Sequence, residues 1–396
     1  MNILFIFTSS LFFLWVIREV FLWLALWQQN DYRRDRFFVV LKAKIRKPKQ
    51  FSLIFFIGKL CIFFSYAFVL FNDSFLSAYE YAIIIFYLLQ SFVLGQEIYR
   101  NSLKKPALTL RGNFIILLTF ATVFLFFAVP LVDRFFWLLF IDCLVPFFVL
   151  CFVLLFSFPI EIYSDWQIEK AGRKIRANKK LLVISVTGSY GKSLTKDYIA
   201  AVLQTKFNVV KTEGKNNTAI GVSRTILNNI ASDTEIFVAE ISAYQRGEIG
   251  MLCELIRPKI GVLTAINNHY RSLFHSLENI KKTNYELVES LPKSGLCLFD
   301  GNNKNTESLY KNSKKGKVLY RTSLSEPSAI AKNEIVACNM VKKQDKCSFD
   351  LFMRGKSMHL IVHGQHHIEQ LLPGIYLADF LGMSPAEIKR AVASLS

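Results

Sequence analysis

The sequence predicts two parts: an N-terminal α-helical transmembrane bundle and a C-terminal α/β domain whose sheet is mostly parallel with a small antiparallel extension. Apolar runs dominate residues 1–160, whereas the rest has the mixed composition of a soluble domain. From Leu181 onward, apolar strand-like runs alternate with helical segments, the order of a doubly wound α/β fold. A glycine-rich turn between the first strand and helix is typical of a phosphate-binding loop. We therefore expect a membrane region over 1–160, a basic linker over 161–180 and the α/β domain over 181–396.

Five apolar segments are long enough to cross about 30 Å of hydrocarbon as helices. They are Ile3–Trp27, Phe51–Phe71, Tyr79–Gly95, Asn113–Val132 and Phe135–Phe158. Lys and Arg concentrate in the 31–50 and 96–112 loops and again in 170–180, but 72–78 contains neither. By the positive-inside rule, the N-terminus is expected outside the plasma membrane and the α/β domain in the cytoplasm.

Much of the formal charge of +18 thus lies in loops, where it sets the orientation of the membrane helices. Beside the membrane it also favours contact with anionic lipid. No basic motif interleaved with aromatic residues indicates a nucleic-acid partner. Arg18, Glu19 and Asp142, with Glu80 at an interface, are slender evidence for transport, so we interpret the membrane region as an anchor. Seven cysteines without a CxxC pair predict reduced thiols rather than disulfides or a metal site.

The glycine-rich turn is the segment Thr187–Ser193, which reads TGSYGKS. Gly188 and Gly191 let the backbone turn and approach phosphate closely, where N–H groups at a helix N-terminus bind anions. Lys192 would reach the β and γ oxygens of a triphosphate, and the Ser193 hydroxyl would bind Mg²⁺. It is a shortened P-loop, because Val186 stands where the longer pattern has glycine.

The remaining elements follow from hydrophobic periodicity and turn residues. Parallel strands are predicted at Leu181–Val186, Val209–Lys211, Ile236–Ile241, Lys259–Ile266, Gly295–Phe299 and Val318–Arg321. Helices are predicted at Lys192–Thr205, Val222–Asn229, Arg246–Ile256, Ile280–Leu291, Ile368–Leu381 and Pro385–Leu395, the last capped by Ser384. Antiparallel strands are predicted at Ile335–Val341, Cys347–Arg354 and Ser357–His363, with a turn at Arg354–Lys356.

Several segments of the α/β domain carry a family resemblance. Thr187–Lys196 (TGSYGKSLTK) resembles the nucleotide loop of the Mur ligases, the ATP-dependent amide ligases of peptidoglycan precursor synthesis. Gly214–Gly221 resembles their Gly-Asn-x-Asn-Thr-x-x-Gly segment, and Gly364–His367 resembles their Gly-x-His-Asn motif. Glu240–Ala243, followed by Gly247-Glu248-Ile249 and Arg257-Pro258, is similar to the branch that adds D-alanyl-D-alanine to UDP-muramoyl-tripeptide. These landmarks occur in family order across 181–396, and none lies in 1–160.

The resemblance implies a ligase that uses ATP and Mg²⁺ to phosphorylate a carboxylate, after which an amine displaces phosphate to form an amide. Its partners would be a UDP-muramoyl-peptide-like acceptor and an amino acid or dipeptide. By motif match, Lys192, Glu240 and His269 would be catalytic, and Ser193 with Glu240 would hold the metal. The nucleotide would contact Thr187, Gly188, Ser189, Tyr190, Gly191, Lys192, Ser193, Leu194, Asn217, Thr218 and Asn302.

The sequence departs from the family pattern at three places. Tyr270 stands where a metal-binding histidine is expected, with His269 one residue earlier, and a neutral phenol is a poor metal ligand. Asn284 stands where the family carbamylates a lysine for a second Mg²⁺, and Lys281 lies one helical turn away. Asp300–Asn303 (DGNN) exchanges the acid and amide of the family's Asn-x-Asp-Asn/Asp segment.

These departures keep alternatives open. The sequence ends at Ser396, where the family's C-terminal domain is expected to begin, and the membrane region takes the place of its N-terminal domain. We therefore expect a partner to supply the missing ligase surfaces. The alternative is a catalytically impaired ATP-binding module that tethers a cell-wall assembly partner. The third and least favoured interpretation is a transporter with a regulatory ATP-binding domain.

Overall fold

In the computed structural model the chain divides into two compact units, Met1–Ile162 and Tyr163–Ser396. The structure describes residues 3–30, 32, 34, 37–38, 41, 51–69, 75–129, 133–214, 216–268, 274, 276–326, 330–343, 346–363 and 366–395. Each unit is considered by itself below.

The described part of the first unit is helical. Its helices are α1 (Ile3–Gln29), α2 (Phe51–Val69), α3 (Leu76–Tyr99), α4 (Leu110–Ala128) and α5 (Arg134–Ala177). Within the described residues, α1, α3, α4 and α5 are long and apolar enough to cross a membrane by length and composition, while α2 offers the shorter stretch Ile57–Tyr66. That any of them spans a membrane stays a prediction.

The interior of this unit is rich in aromatic residues. Phe12 of α1 meets Tyr87 of α3 edge to face, with ring centroids 6.0 Å apart, and both side chains are buried. Tyr66 of α2 stacks on Phe136 of α5 at 4.1 Å. Offset and edge-to-face pairs are the arrangements that aromatic rings prefer. The many phenylalanines of the sequence therefore form a packed core as well as an apolar surface.

The predicted basic linker, residues 161–180, is helical up to Ala177, which is the last residue of α5. Its last turns carry a Glu169–Arg173 pair, 3.4 Å apart at the helical i,i+4 spacing, and basic residues near the C-terminus, both of which favour a helix. The many charged residues of this segment leave little apolar periodicity from which a helix could be predicted.

The second unit contains a sheet with nine described strands in the order β2-β3-β1-β4-β5-β6-β7-β8-β9. All pairs from β2 to β7 are parallel, and the β7–β8 and β8–β9 pairs are antiparallel. The predicted α/β class, with its small antiparallel extension, is confirmed. The strands are β1 (Leu182–Thr187), β2 (Val209–Lys211), β3 (Ile236–Glu240), β4 (Ile260–Leu263), β5 (Leu296–Asp300), β6 (Gly316–Thr322), β7 (Glu334–Lys343), β8 (Lys346–Met353) and β9 (Lys356–His363).

The helices of this unit are α6 (Lys192–Leu203), α7 (Ala219–Asn229), α8 (Glu248–Ile256), α9 (Leu277–Ser290), α10 (Lys304–Asn312), α11 (Ile368–Phe380) and α12 (Pro385–Ala393). Sequence analysis missed α10, because its apolar pattern is weak. Thr306 is the residue that this helix buries. Its N-terminal signal is Asn303, whose side chain accepts a hydrogen bond from the Thr306 N–H. The strand predicted to end at Ile266 stops at Leu263, which leaves residues 264–268 free to line the edge of the sheet.

Strand order places β1 between β3 and β4, with helices packed on both faces of the sheet. Because both faces are covered, β1 is an almost unbroken apolar run. α11 lies against α6: a Cβ at Gly374 would approach the backbone oxygen of Tyr198 to 3.2 Å. The carboxyl ends of β1, β3 and β4 meet at one edge, where open α/β sheets bind ligands.

Candidate nucleotide-binding site

The turn between β1 and α6 depends on two glycines in the left-handed region. Gly188 has a φ of +143°, and a Cβ there would lie 2.1 Å from Thr264 Oγ1. Gly191 has a φ of +84° and is the N-cap residue of α6. The N–H groups of Ser189 and Tyr190 both donate to the Ala265 carbonyl, at 2.8 and 3.2 Å. The loop is therefore fixed against the segment after β4, as a preformed phosphate cradle requires.

Lys192 is the first residue of α6, and its ammonium group donates to the Gly188 carbonyl at 2.7 Å. Burial lowers the pKa of Lys192, and the nearby Glu240 carboxylate partly opposes that shift. The ammonium thus lies over the loop, next to the backbone N–H groups of the helix N-terminus. This is the position from which a lysine neutralises a bound polyphosphate.

Glu240 ends β3 and is 2% exposed. Its Oε1 accepts from Asn217 Nδ2 at 3.1 Å, and its Oε2 lies 3.7 Å from the ammonium of the buried Lys196. Oε2 has no hydrogen-bond partner among the described residues, and Glu240 and Ser193 both line the cavity described below. A carboxylate and a hydroxyl in one cavity supply the oxygen ligands that suit a hard cation such as Mg²⁺.

A cavity of about 550 Å³ opens over the loop. It brings together the predicted site residues Thr187–Leu194, Asn217, Thr218 and Glu240. Sequence analysis did not assign the other lining side chains to the nucleotide: Ser242, Ala243, Tyr244, Phe274, Ile280, Thr283, Asn284, His367 and Gln370. Most lie just beyond strand ends or on α9 and α11, so the signal that could have found them is the strand order, which sequence alone does not give.

Asn302 is not among the residues that line this cavity. Its side-chain amide donates to Thr322 Oγ1 at 2.6 Å, and its carbonyl accepts from the Thr322 N–H at 2.9 Å. Both polar ends of Asn302 therefore join β5 to β6. His269 and Tyr270 lie outside the described residues, so their expected roles stay predictions.

Asn284 of α9 faces the loop. Its carbonyl oxygen accepts from the Thr187 hydroxyl at 3.0 Å, and its NH₂ group donates to the Ile280 carbonyl at 2.8 Å. Lys281 instead pairs with Glu278 at 3.0 Å and does not line the cavity. At the position where the family resemblance implies a carbamylated lysine, this chain therefore holds a neutral side chain whose polar ends bond protein atoms.

The residues before α11 connect that helix to α6. His366 Nδ1 lies 2.9 Å from the Tyr198 hydroxyl, and its Nε2 lies 2.5 Å from the His363 carbonyl. His367 and Gln370 then border the cavity beside Gly191. The Gly-x-His-Asn-like motif thus lies next to the P-loop, although its first two residues are outside the described ranges.

These features are those of an α/β domain with a P-loop. Residues 186–378 match the family model described as the Mur ligase middle domain. The match confirms the resemblance to the Mur ligases inferred from the motifs.

The similar curated proteins carry the name UDP-N-acetylmuramoyl-tripeptide--D-alanyl-D-alanine ligase. The protein from Bacillus subtilis (strain 168) is 27% identical over 213 residues, which are 54% of this chain and 44% of that protein. The protein from Escherichia coli (strain K12) is 27% identical over 255 residues, 61% of this chain and 54% of that protein. The chain thus spans about half the length of the curated relatives it matches.

Solved structures agree on the fold. The MurF ligase from Thermotoga maritima in complex with ADP is 22% identical with a TM-score of 0.51, covering 59% of this chain and 52% of that chain. A MurF structure from Acinetobacter baumannii gives a TM-score of 0.52 at 18% identity, covering 58% and 49%. At these identities the likeness establishes the fold of the α/β unit.

Asp300, at the end of β5, should make the stability of the folded α/β unit depend on pH. Burial and the neighbouring Glu369 carboxyl raise the pKa of Asp300 to about 8. An unfolded aspartate has a pKa of about 4, so between these values the folded state binds more protons than the unfolded state. Stability should therefore fall as pH rises through this window.

We expect Asp300→Asn to flatten that dependence and to raise the melting temperature at about pH 9, because an amide cannot ionise there. Thermal melts from about pH 5 to about pH 9 measure the effect. Asp233→Asn, at an exposed surface position, is the matched control. A parallel pH dependence in Asp300→Asn and the unmodified protein would contradict this assignment.

Proposed function

We propose that this chain is the membrane-anchored, ATP-binding part of a Mur-type amide ligase in peptidoglycan precursor synthesis. The observation that carries the proposal is the cavity that Lys192, Ser193 and Glu240 line together, with a Glu240 oxygen that accepts no hydrogen bond from the described residues. Together they supply a cation for the phosphates and oxygen ligands for Mg²⁺. The family match and the names of the relatives support the ligase class.

In this proposal the protein positions and neutralises charge rather than forming covalent bonds itself. The N–H groups in the first turn of α6 and the Lys192 ammonium would hold the polyphosphate of ATP, and a Mg²⁺ bound at Ser193 and Glu240 would neutralise its charge. The γ-phosphoryl group passes to a substrate carboxylate, and an amine then displaces phosphate from the acyl phosphate. Lys196, whose buried ammonium lies 3.7 Å from Glu240 Oε2, orients that carboxylate.

The relatives' names indicate the substrates, UDP-muramoyl-tripeptide as acceptor and D-alanyl-D-alanine as amine. We infer an acceptor and an amine of these classes for this chain. The matched region is about half of each relative, so the binding of both substrates is part of the proposal. We also propose that a partner protein contributes surfaces that bind them.

Lys192→Ala should weaken Mg·ATP binding by about 1–2 kcal/mol or more, because it removes a charge-assisted hydrogen bond to phosphate. Isothermal titration calorimetry measures the affinity, with and without Mg²⁺. Lys180→Ala removes an exposed lysine of the same unit and should bind as the unmodified protein does. Equal affinities of Lys192→Ala and Lys180→Ala would exclude the loop as the nucleotide site.

The alternative function is a catalytically impaired ATP-binding module that tethers a cell-wall assembly partner. It is favoured by Asn284, which supplies a neutral amide already bonded to Thr187 and Ile280. Tyr270 adds a second departure in the sequence. An impaired site of this kind would bind the Mg²⁺ of the nucleotide yet form acyl phosphate slowly.

Restoring the family pattern tests that alternative. Tyr270→His combined with Asn284→Lys should raise ligase turnover when the missing surfaces are supplied, because loss of one positioned electrostatic group typically costs about 10²–10³ in rate. Phosphate release with acceptor and amine present is the measurement, and each single substitution is a control. Robust turnover by the unmodified protein, independent of bicarbonate and unchanged by His269→Ala, would contradict the impaired interpretation.

We also propose that the helical unit is a multi-pass anchor in the plasma membrane, with the ligase domain in the cytoplasm where ATP is available. The Lys/Arg asymmetry of the loops and the apolar lengths of α1, α3, α4 and α5 support it. The anionic cytoplasmic leaflet would attract the basic segments beside the helices.

Cysteine labelling from outside the cell measures this topology. In a background without the native cysteines, a cysteine at Ser74 or Asp133 should react with an impermeant maleimide, and one at Lys179 should react only after permeabilisation. Labelling of Lys179→Cys in intact cells would invert the orientation and separate the α/β domain from its ATP.

A further inference from the structure

The helical unit contains a buried ion pair that sequence analysis missed. Lys59 of α2 donates to Asp142 of α5 at 2.8 Å, and the two side chains are 4% and 0% exposed. The Tyr87 hydroxyl of α3 donates to the second Asp142 oxygen at 3.3 Å. The pair thus joins three helices, and its members lie 83 residues apart in sequence.

A second charged group lies nearer one end of the unit. Arg18 of α1 donates to both carboxylate oxygens of Glu97, at 3.1 and 2.6 Å, and to Glu19 Oε1 at 2.7 Å. Trp23 Nε1 donates to the other Glu19 oxygen at 3.0 Å. Arg18 is buried, whereas Glu97 is 24% exposed at the end of α3.

The two groups share one aromatic ring. The Arg18 guanidinium carbon lies 4.6 Å from the centroid of the Trp15 ring, and the Lys59 ammonium lies 5.7 Å from it. Charged side chains inside a membrane helix are costly and usually mark an ion or proton pathway. Both charged groups therefore lie against the same indole ring.

The helix α3 contributes two further buried polar side chains, those of Gln90 and Tyr79. Gln90, three residues after Tyr87, is fully buried, and neither its oxygen nor its nitrogen has a hydrogen-bond partner among the described residues. An unpaired amide in an apolar interior costs several kcal/mol unless water binds it. The Tyr79 hydroxyl, buried and likewise without a partner in the described ranges, lies two turns before Tyr87.

The buried polar groups extend along α3 over a distance close to the thickness of the hydrocarbon core of a membrane. From Tyr79 to Glu97, α3 rises by about 27 Å, close to the thickness of a hydrocarbon core. Tyr87 and Asp142 lie near the middle of that distance, and Glu97 lies at one end. Within the described part of this unit, the ionisable groups near Asp142 besides Lys59 and Tyr87 are Glu19 of α1 and the adjacent Cys143. α4 contributes the buried Thr119, whose hydroxyl donates to its own helix.

We propose that the helical unit exchanges protons across the membrane along this line, with the Lys59–Asp142 pair as its central exchange site. A proton binds the Glu97 carboxylate, passes by water held at Gln90 to the Asp142 carboxylate, and leaves past Tyr79. One positive charge crosses the membrane, and each carboxylate returns to its ionised state. The proposal rests on membrane insertion of the unit and adds an activity beyond that of the ligase domain.

The test uses the full chain in vesicles that enclose a pH-sensitive dye. A potassium gradient with valinomycin sets a membrane potential, and the rate of internal pH change is measured. We expect the unmodified protein to exceed protein-free vesicles, and Asp142→Asn and Glu97→Gln to lose that excess. Thr119→Val removes a buried hydroxyl that bonds only within its own helix and takes no part in the proposed path, so this variant should retain the excess.

Flotation of the vesicles and circular dichroism separate the outcomes. Protein that does not float with lipid overturns both the anchor and the proton path. Protein that floats and is helical, but adds no proton flux, overturns the path alone. Flux that persists in Asp142→Asn and Glu97→Gln also overturns it. Glu97→Gln lies at a partly exposed helix end and keeps the test decisive if Asp142→Asn does not fold.

Discussion

The close contact between Gly188 and Thr264 is the constraint on which the α/β site depends. No side chain can stand at Gly188, because a Cβ would overlap the Thr264 hydroxyl. Thr264 in turn donates to the Thr187 carbonyl, so the ends of β1 and β4 are joined where the loop begins. Once Gly188 is held against Thr264, the start of α6 places the loop N–H groups, Lys192 and Ser193 at the site. Glu240 lies at the end of β3, the other strand that pairs with β1.

The fold of the α/β unit could largely be predicted from the sequence. Strands buried on both faces, such as β1, are short apolar runs between turn residues, and this pattern is local. The hairpin between β8 and β9 also has a local signal, since Arg354 and Gly355 both adopt positive φ. The helix α10 has only its Asn303 cap as a local signal, because it buries little apolar surface.

The lining of the cavity was predictable where its residues belong to a recognisable sequence motif, as Thr187–Leu194, Asn217, Thr218 and Glu240 do. The loop and its lysine form one motif, whereas Gln370, Phe274 and Thr283 reach the cavity through strand order and helix packing. Asn302 shows the converse, because a segment resembling a nucleotide contact bonds a neighbouring strand instead. In the helical unit, Lys59 lay within an apolar run, and only the packing of α2 against α5 gives it a partner. Pairing between distant segments is the information that a single sequence lacks.

The neutral side chain at Asn284 also changes the electrostatic balance of the cavity. Around the loop, Lys192 brings an ammonium group and Glu240 a carboxylate, the Lys196 ammonium is shared between Glu240 and Asp197, and Asn284 adds a dipole but no net charge. A carbamate at that position would have added a negative charge to the cavity. Without it, a polyphosphate in the proposed site would meet less repulsion than in a carbamylated site. The proposed site therefore has less need of a second metal ion to offset a carboxylate-like group on α9.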